Sequence, residues 1–119
     1  MKNKRERGMK GERLAADYLR SEGYEIIMRN YRCPIGEIDL IARQGNLLVF
    51  VEVRSRWTGN FGSPEQSISD RKKNKLIDLA NYYLSSELQR EVPCRFDFIG
   101  IKFNHMDEVD RINHITGIT

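Results

Sequence analysis

The sequence predicts an α/β fold with a mixed central sheet flanked by helices, and three observations carry this prediction. Two apolar runs on either side of Gly45-Asn46 predict a β-hairpin, because this dipeptide suits a tight primed turn. An apolar stripe with helical spacing predicts a long helix over residues 69–88. Ser69 is one possible start, and the capping sequence at residues 63–66 is another. A later run, residues 95–103, is apolar on both faces, which is typical of a central strand. A helix between the hairpin and this strand implies a parallel, right-handed crossover.

Two further elements precede the hairpin. An apolar stripe predicts a helix over residues 9–22, ended by Gly23 in a left-handed conformation. Alternating apolar residues predict a first strand over residues 24–32. The order is therefore α-β-β-β-α-β, and a short edge strand is expected near residues 112–115.

One domain fits the whole chain, 1–119, with residues 1–7 flexible and 104–119 forming a peripheral tail. No apolar run approaches membrane-spanning length and no secretory segment follows the basic start, so we expect a cytoplasmic protein without membrane attachment. Cys33 and Cys94 match no metal-binding spacing and are expected to be free thiols. The net charge of +3 is compatible with nucleic acid as a partner.

The hairpin carries two carboxylates that a two-residue loop sets opposite each other. In that register Asp39 faces Glu52 and Glu37 faces Arg54. A three-residue loop would mix polar and apolar residues on both faces, so the two-residue loop is favoured. The opposite face is then uniformly apolar and is formed by Ile38, Leu40, Ala42, Val49, Val51 and Val53.

Like charges that face each other destabilise a sheet, so the pair Asp39 and Glu52 requires an explanation. A bound Mg²⁺ is one, since this ion prefers oxygen ligands and often uses one or two carboxylates. The alternative is a solvated outer face with a cross-strand salt bridge between Glu37 and Arg54. Glu12 allows the same choice: it lies on the buried face of the first helix, where it either complements the helix dipole or points towards the sheet carboxylates.

Two other groups of residues have a functional and a structural interpretation. The first turns of the long helix carry Arg71, Lys72, Lys73 and Lys75, which form either a solvated face or a patch that contacts phosphates. The Gly-rich segment after the hairpin carries Trp57 and Phe61. These rings either stack on nucleic-acid bases or fix their own loop to the core.

These motifs resemble a known group of nucleases. The element order is similar to the restriction-endonuclease-like core, and Asp39 with Glu52-Val53-Arg54 resembles the PD-(D/E)xK signature. The match is closer to the YraN-like family, whose fold is related to archaeal Holliday-junction resolvases. The blocks that carry this resemblance are GEIDLIA, VFVEVRSR, the segment 72–76, RFD at 95–97 and the Gly11-Glu12 helix, and together they cover residues 8–103.

The resemblance implies roles for individual residues. Asp39 and Glu52 would be metal ligands, with the Val53 carbonyl as a third and Mg²⁺ or Mn²⁺ as the cofactor. Glu12 would match the helix carboxylate of the resolvases. Arg54 would be the basic residue of the motif, where most superfamily nucleases have Lys, and as a permanent cation it suits charge stabilisation.

The function implied is metal-dependent endonuclease activity, with phosphodiester hydrolysis in DNA, including branched or junction DNA. The alternative is a non-catalytic nucleic-acid-binding module of the same fold that acts with a DNA-processing partner. A scaffold that binds protein alone is a third interpretation. Symmetric junction nucleases usually act as dimers, so a homodimer is compatible with the first interpretation.

Overall fold

The structure is a computed structural model that describes residues 4–57 and 68–119. Five strands form one sheet in the order β1-β2-β3-β4-β5, in which β3 and β4 are parallel and all other neighbours are antiparallel. The α/β prediction with a mixed sheet flanked by helices is confirmed. The elements are α1 (Lys4–Ser21), β1 (Glu25–Cys33), β2 (Gly36–Gln44), β3 (Leu47–Trp57), α2 (Asp70–Tyr83), β4 (Cys94–Phe103) and β5 (Val109–Ile115).

The predicted hairpin register is confirmed where β2 and β3 pair. Leu40 faces Val51, and the ladder continues without a shift to the turn at Gly45, where φ is 62°. The pairing of β2 with β3 stops at Leu40 and Val51, whereas β3 continues to Trp57 beside β4. The two strands of the hairpin therefore diverge at the residues that carry the carboxylates.

Each face of the sheet is covered by a helix, which contradicts the alternative of a solvated outer face. Ile38 lies in the core under α2 whereas Leu40 lies in the core under α1, although positions two apart on a regular strand share a face. The alternation changes at Asp39, where β2 leaves β3. The buried core under α1 contains Ala15, Ala16, Leu19, Leu40, Ala42, Val49, Val51, Val53, Ile99, Ile101 and Phe103. The buried core under α2 contains Tyr31, Ile38, Ile41, Leu48, Phe50, Leu76, Leu79, Ala80 and Tyr83.

Helix α1 begins at Lys4, so residues 4–7, which were expected to be flexible, are helical. It ends at Ser21, and Gly23 has the predicted left-handed conformation with φ 91°. Gly11 is buried against β3, because a Cβ at this position would overlap the side chain of Ser55. The helix therefore approaches the sheet most closely one residue before Glu12.

Helix α2 begins after Ser69, one of the two predicted starts, whose side chain accepts a 3.2 Å hydrogen bond from the backbone N–H of Lys72. Regular α-helix ends at Tyr83, and a π-helical turn, Leu84–Leu88, completes the predicted length. The other predicted start, the capping sequence at residues 63–66, lies outside the described residues.

The segment 104–119 is more than a peripheral tail. Strand β5 is the edge strand predicted near residues 112–115, and it pairs with β4. Beyond it, the backbone N–H of Ile118 donates a 2.8 Å hydrogen bond to the carbonyl of Phe96, and that of Gly117 bonds the side chain of Asp97. Among the described helices, none is long and apolar enough to cross a membrane.

Candidate acidic site where β2 leaves β3

Asp39 lies where the hairpin strands diverge, and its carboxylate bridges the gap. The backbone N–H of Val53 donates a 2.8 Å hydrogen bond to Asp39 Oδ2. A continued antiparallel ladder would have supplied a main-chain carbonyl from β2 at this position. The Asp39 side chain therefore replaces that carbonyl and is held in a fixed direction by β3.

Three carboxylates meet at this point. Oxygen atoms of Glu12, Glu37 and Asp39 all lie within 4.8 Å of one another. Glu12 reaches the group from α1, so its side chain points towards the sheet carboxylates, as the second interpretation of Glu12 predicted. Glu37 was not expected here, because the sequence suggested that it pairs with Arg54.

The predicted salt bridge between Glu37 and Arg54 is not formed. Glu37 pairs instead with Arg32 at 3.0 Å, and Arg54 pairs with Glu52 at 3.2 Å. The register that would place Glu37 opposite Arg54 ends at Leu40, so the two side chains belong to strands that have already separated. Arg54 therefore pairs with Glu52, which lies two residues earlier on the same strand.

The carboxylates of the site hold protons more tightly than ordinary acidic side chains. Burial raises the pKa of Asp39 to about 8, and the nearby Glu52 carboxylate adds to this effect. Burial also raises the pKa of Glu52, against the opposing effect of Arg54. The pKa of Glu12 is raised by burial, and the Asn30 side chain opposes this rise more strongly than Glu37 adds to it. Burial is thus the main reason why these three carboxylates favour the protonated form.

Asn30 is a component of the site that the sequence analysis missed. It lies within β1, between Arg29, which pairs with Leu40, and Tyr31, which pairs with Ile38. Its φ of 55° is left-handed, a conformation that Asn adopts more readily than most residues. Asn has low β-propensity, so an Asn inside a predicted strand was the sequence feature that could have identified this position.

The basic start of α2 is only partly at the site. Lys72 and Lys73 line a small pocket together with Glu52 and Arg54. The pKa of Lys72 is lowered, first by desolvation and then by the neighbouring Arg54. Arg71, Lys72 and Lys75 are exposed, and the Lys75 side chain lies beside Gly36.

Trp57 itself packs on the core, in agreement with the structural interpretation of this residue. Its ring stacks on Phe103 with centroids 4.5 Å apart, and the Arg7 guanidinium carbon lies 4.7 Å from the ring centroid. Its indole N–H donates a hydrogen bond to Asp107. Phe61, the second aromatic residue of this segment, lies outside the described residues.

A second polar cluster surrounds Asp97, whose side chain is fully buried. Arg95 donates two hydrogen bonds to it, of 2.8 and 2.7 Å, and His114 Nε2 lies 2.8 Å from Asp97 Oδ2. Arg95 also bonds the Tyr24 hydroxyl at 2.7 Å. Burial alone would raise the pKa of Asp97, but the hydrogen bonds from His114, Arg95 and Gly117 outweigh it and lower that pKa. This cluster joins β4 to β5 and the C-terminal segment.

The acidic site has the donor chemistry of a divalent-cation site. Its ligands are carboxylate oxygens from a helix and two strands, and such hard ligands suit Mg²⁺ and Mn²⁺. Burial raises the pKa values of Asp39, Glu52 and Glu12, and a bound cation would favour their ionised forms. Within the described residues, Glu12, Asp39, Glu52 and Arg54 are near one another, whereas Val53 contributes an N–H to Asp39. The role of its carbonyl as a ligand stays a prediction.

These features define a class: a mixed α/β domain with a carboxylate site where two central strands separate. Comparison with known proteins agrees. A family model described as "Uncharacterised protein family UPF0102" matches residues 11–101. The chain therefore belongs to the UPF0102 family, the YraN-like family that its sequence blocks resemble.

Several relatives match over nearly their whole length. A UPF0102 protein of Moorella thermoacetica is 44% identical over 96% of this chain and 95% of its own. One of Desulforamulus reducens is 48% identical over 91% of this chain and 90% of its own. One of Thermodesulfovibrio yellowstonii is 46% identical over 88% and 93%, respectively. Their names give the family and no activity.

Proposed function

We propose that this protein is a metal-dependent endonuclease that hydrolyses phosphodiester bonds in DNA, including branched or junction DNA. The observation that carries the proposal is the meeting of Glu12, Glu37 and Asp39 within 4.8 Å, with Glu52 next to Asp39. Partly buried carboxylates that are gathered from separate elements are costly to the fold unless a cation balances them. The resemblance implies an overlapping set of carboxylates, Glu12, Asp39 and Glu52, without Glu37.

Some residues of the site would bind a cation, and others would contact the phosphate. Glu12, Glu37, Asp39 and Glu52 offer the oxygen ligands. A divalent cation bound to them would polarise a phosphoryl oxygen and lower the pKa of a water. The N–H of Val53 fixes the direction of Asp39, which preorganises the site.

The cations beside Glu52 would stabilise the transition state. Arg54 forms a 3.2 Å ion pair with Glu52, and Lys72 also interacts with Glu52 electrostatically. Negative charge develops on the phosphoryl oxygens during hydrolysis, and a fixed cation nearby lowers its energy. Arg54 is permanently charged and holds a phosphate with two parallel hydrogen bonds. We therefore assign it to charge stabilisation rather than to proton transfer.

The second candidate is a nucleic-acid-binding module of the same fold that acts with a DNA-processing partner. The 3.2 Å ion pair between Arg54 and Glu52 favours it, because this pair neutralises a carboxylate that the nuclease interpretation assigns to the metal. Under this interpretation the phosphate contacts remain, but hydrolysis is left to the partner.

A cleavage screen separates the two candidates. Linear, branched and junction DNAs are incubated with the wild-type protein in Mg²⁺, Mn²⁺ or EDTA, with Asp39→Asn as the control that keeps the shape of the side chain. We expect metal-dependent cleavage that Asp39→Asn abolishes. Binding without cleavage in either metal would support the binding module, and cleavage that persists in Asp39→Asn would place the activity elsewhere.

Arg54 variants test its role in the same assay. Arg54→Lys keeps a cation beside Glu52 and should retain substantial activity. Arg54→Ala should lose roughly 2–4 kcal/mol of transition-state stabilisation, by analogy with removal of one oxyanion donor. Melting curves of the three proteins show whether the loss comes from catalysis or from unfolding. Wild-type turnover in Arg54→Ala would end this assignment.

A further inference from the structure

A groove leads away from the acidic site along the part of β3 that β2 does not cover. It has a volume of about 490 Å³ and runs between the start of α1 and the end of β3. Because β2 stops pairing at Val51, no strand in the described part of the chain pairs with that edge of β3 beyond this residue. Glu12 belongs both to this groove and to the carboxylate group, so the groove begins at the acidic site. The lining residues are Arg7, Gly8, Glu12, Val53, Arg54, Ser55, Arg56 and Trp57.

The charge of this groove is positive. Three arginines and one glutamate line it. Arg7 is paired with Asp107 at 4.0 Å and Arg54 with Glu52 at 3.2 Å. Arg56 forms no ion pair with any residue in the ranges 4–57 and 68–119, and its one hydrogen bond there, to the Ser55 carbonyl, is long at 3.4 Å. The Arg56 guanidinium, which has no carboxylate partner among the described residues, suits an anionic ligand rich in oxygen atoms.

Gly8 gives independent support for a ligand in the groove. It is exposed within α1, where glycine is less stable than alanine, and a Cβ added there would meet nothing within 4 Å. No packing contact explains this glycine, in contrast to Gly11, which is pressed against Ser55. The missing side chain keeps the wall of the groove open at this point.

Contacts in the groove would be made to the backbone of a nucleic acid rather than to its bases. The Trp57 ring is covered by Phe103 on one side and lies beside the Arg7 guanidinium, so it is not available for base stacking. The remaining donors are guanidinium groups, which bind phosphate irrespective of sequence. Arg54 and Arg56 follow Glu52 at every second position of one strand, so they lie roughly 6.6 Å apart.

We propose that this groove holds the phosphodiester backbone of one nucleic-acid strand as it leaves the acidic site, with Arg56 as its principal contact. The inference rests on the proposed function, because it assumes that the acidic site receives a nucleic acid. It differs from the sequence-based prediction in placing the strand along the edge of β3 beyond Val51 instead of over the basic start of α2.

Binding of a labelled single-stranded oligonucleotide tests the path of the strand. Affinity is measured in EDTA over a series of salt concentrations for wild type, Arg56→Gln and Arg71→Gln. Both variants remove one arginine charge, and Arg71 is the matched control on α2. We expect Arg56→Gln to weaken binding roughly 3–10-fold and to reduce the slope of log affinity against log salt by about 0.7, with Arg71→Gln close to wild type. Equal losses in both variants, or a loss only in Arg71→Gln, would overturn the proposal.

Gly8→Gln provides a second test that does not depend on removing a charge. The substitution places a larger side chain in the groove at a position that glutamine should stabilise as a helix residue. We expect unchanged or higher thermal stability together with weaker oligonucleotide binding. Wild-type affinity in Gly8→Gln would contradict a strand in this groove.

The outcomes also distinguish this inference from the proposed function. If the wild-type protein binds and cleaves DNA while Arg56→Gln and Gly8→Gln behave as wild type, the strand does not bind in this groove and the nuclease proposal stands. If both variants lose affinity but no metal supports cleavage, the strand binds in this groove and the binding module is the favoured function. If the wild type binds no oligonucleotide at any salt concentration, both proposals fail.

Discussion

Val53 and Asp39 are joined by a hydrogen bond from a backbone N–H on β3 to a side-chain oxygen on β2, at 2.8 Å. This bond satisfies a buried main-chain donor at the point where the ladder between the two strands ends. It also holds one Asp39 oxygen against β3, in a carboxylate that lies within 4.8 Å of those of Glu12 and Glu37. The site is therefore built into the sheet before any ligand binds.

The first prediction concerns Asp39 and pH. The native protein binds a proton on Asp39 more tightly than the unfolded chain does, because burial raises the native pKa from 3.8 to about 8. Between these two values each rise in pH favours the unfolded state, so the contribution of Asp39 to stability is present at low pH and is lost as pH approaches 8. Asp39→Asn removes this loss. Without divalent cations, it should raise the free energy of unfolding more at pH 9 than at pH 5.

The increase in unfolding free energy caused by Asp39→Asn should be larger at pH 9 than at pH 5 by more than about 1.4 kcal/mol, which corresponds to one pKa unit. Denaturant unfolding at both pH values, in EDTA, measures it. Asp17→Asn is the control, because this carboxylate is exposed on α1 with only an ion pair to Arg20. The same effect of pH in the two variants would show that Asp39 ionises normally.

The second prediction is that Glu37 contributes to cation binding. Glu37 lies in the group of three carboxylates, whereas Glu52 is paired with Arg54. Glu37→Gln should therefore weaken Mn²⁺ binding at least as strongly as Glu52→Gln does. Electron paramagnetic resonance of free Mn²⁺ at pH 8.5, a pH that favours ionised carboxylates, measures both affinities without reference to cleavage.

Glu25→Gln is the matched control for Glu37→Gln. Glu25 lies on β1 and is exposed, as Glu37 is. It is also paired with an arginine, Arg43, at 2.7 Å. Its substitution should leave Mn²⁺ affinity unchanged. Wild-type affinity in Glu37→Gln, with a loss in Glu52→Gln, would instead support the ligand pair Asp39 and Glu52 that the resemblance implies.

The divergence of the hairpin also explains how far the sequence could predict the site. The apolar pattern and the turn fixed the register between Leu40 and Val51, because a slip by one residue would have turned every core residue outward. Beyond that pair the pattern no longer applies, since the strands separate and each is held by different neighbours. The partner of Glu37 was predicted by extending the register past this point, and it was wrong for that reason.

Other parts of the site depend on contacts between distant segments, which no local pattern encodes. Arg7 and Arg56 line one groove because α1 lies across the end of β3. His114 and Asp97 meet because β5 folds back on β4. The helices and strands themselves were predictable, since their apolar spacing is local and their ends carry residues such as Ser69 and Gly23.

The third prediction compares two glycines of α1. Gly8→Ala should raise the free energy of unfolding by about 0.5–1 kcal/mol, because alanine is the better helix residue and its Cβ meets nothing. Gly11→Ala should gain less or become destabilising, because its Cβ would displace the Ser55 hydroxyl. Thermal and denaturant unfolding of both variants measure the difference.

Ser55→Ala provides the test of mechanism. In that background the overlapping hydroxyl is absent, and the next atom, the Ser55 Cβ, lies at an ordinary contact distance of 3.5 Å. Gly11→Ala should then be more favourable than it is in the wild type, and the double-mutant cycle should give a coupling of roughly 0.5 kcal/mol or more. Additive effects would mean that Gly11 is not limited by Ser55.

The last prediction is that the Asp97 cluster stabilises the fold. Asp97 is fully buried and accepts hydrogen bonds from Arg95 and Gly117, with His114 Nε2 2.8 Å away. Asp97→Asn removes the charge that balances Arg95 and should cost about 3 kcal/mol of unfolding free energy at pH 7. Because the native pKa of Asp97 is lowered, its contribution is present above the ordinary pKa of 3.8 and is lost as pH falls through the lowered value.

Asp110→Asn is the control for this substitution, since Asp110 lies on β5 and forms an exposed pair with Lys102 at 3.9 Å. An exposed pair of this kind contributes at most about 1 kcal/mol, so the control should remain close to the wild type. Urea unfolding at pH 7 and pH 3 should show a large cost of Asp97→Asn at the higher pH and a smaller cost at the lower. Mg²⁺ should not change that cost, because the cluster contains none of the carboxylates of the acidic site. Equal stability of the two variants at pH 7 would show that the buried cluster adds nothing to the fold.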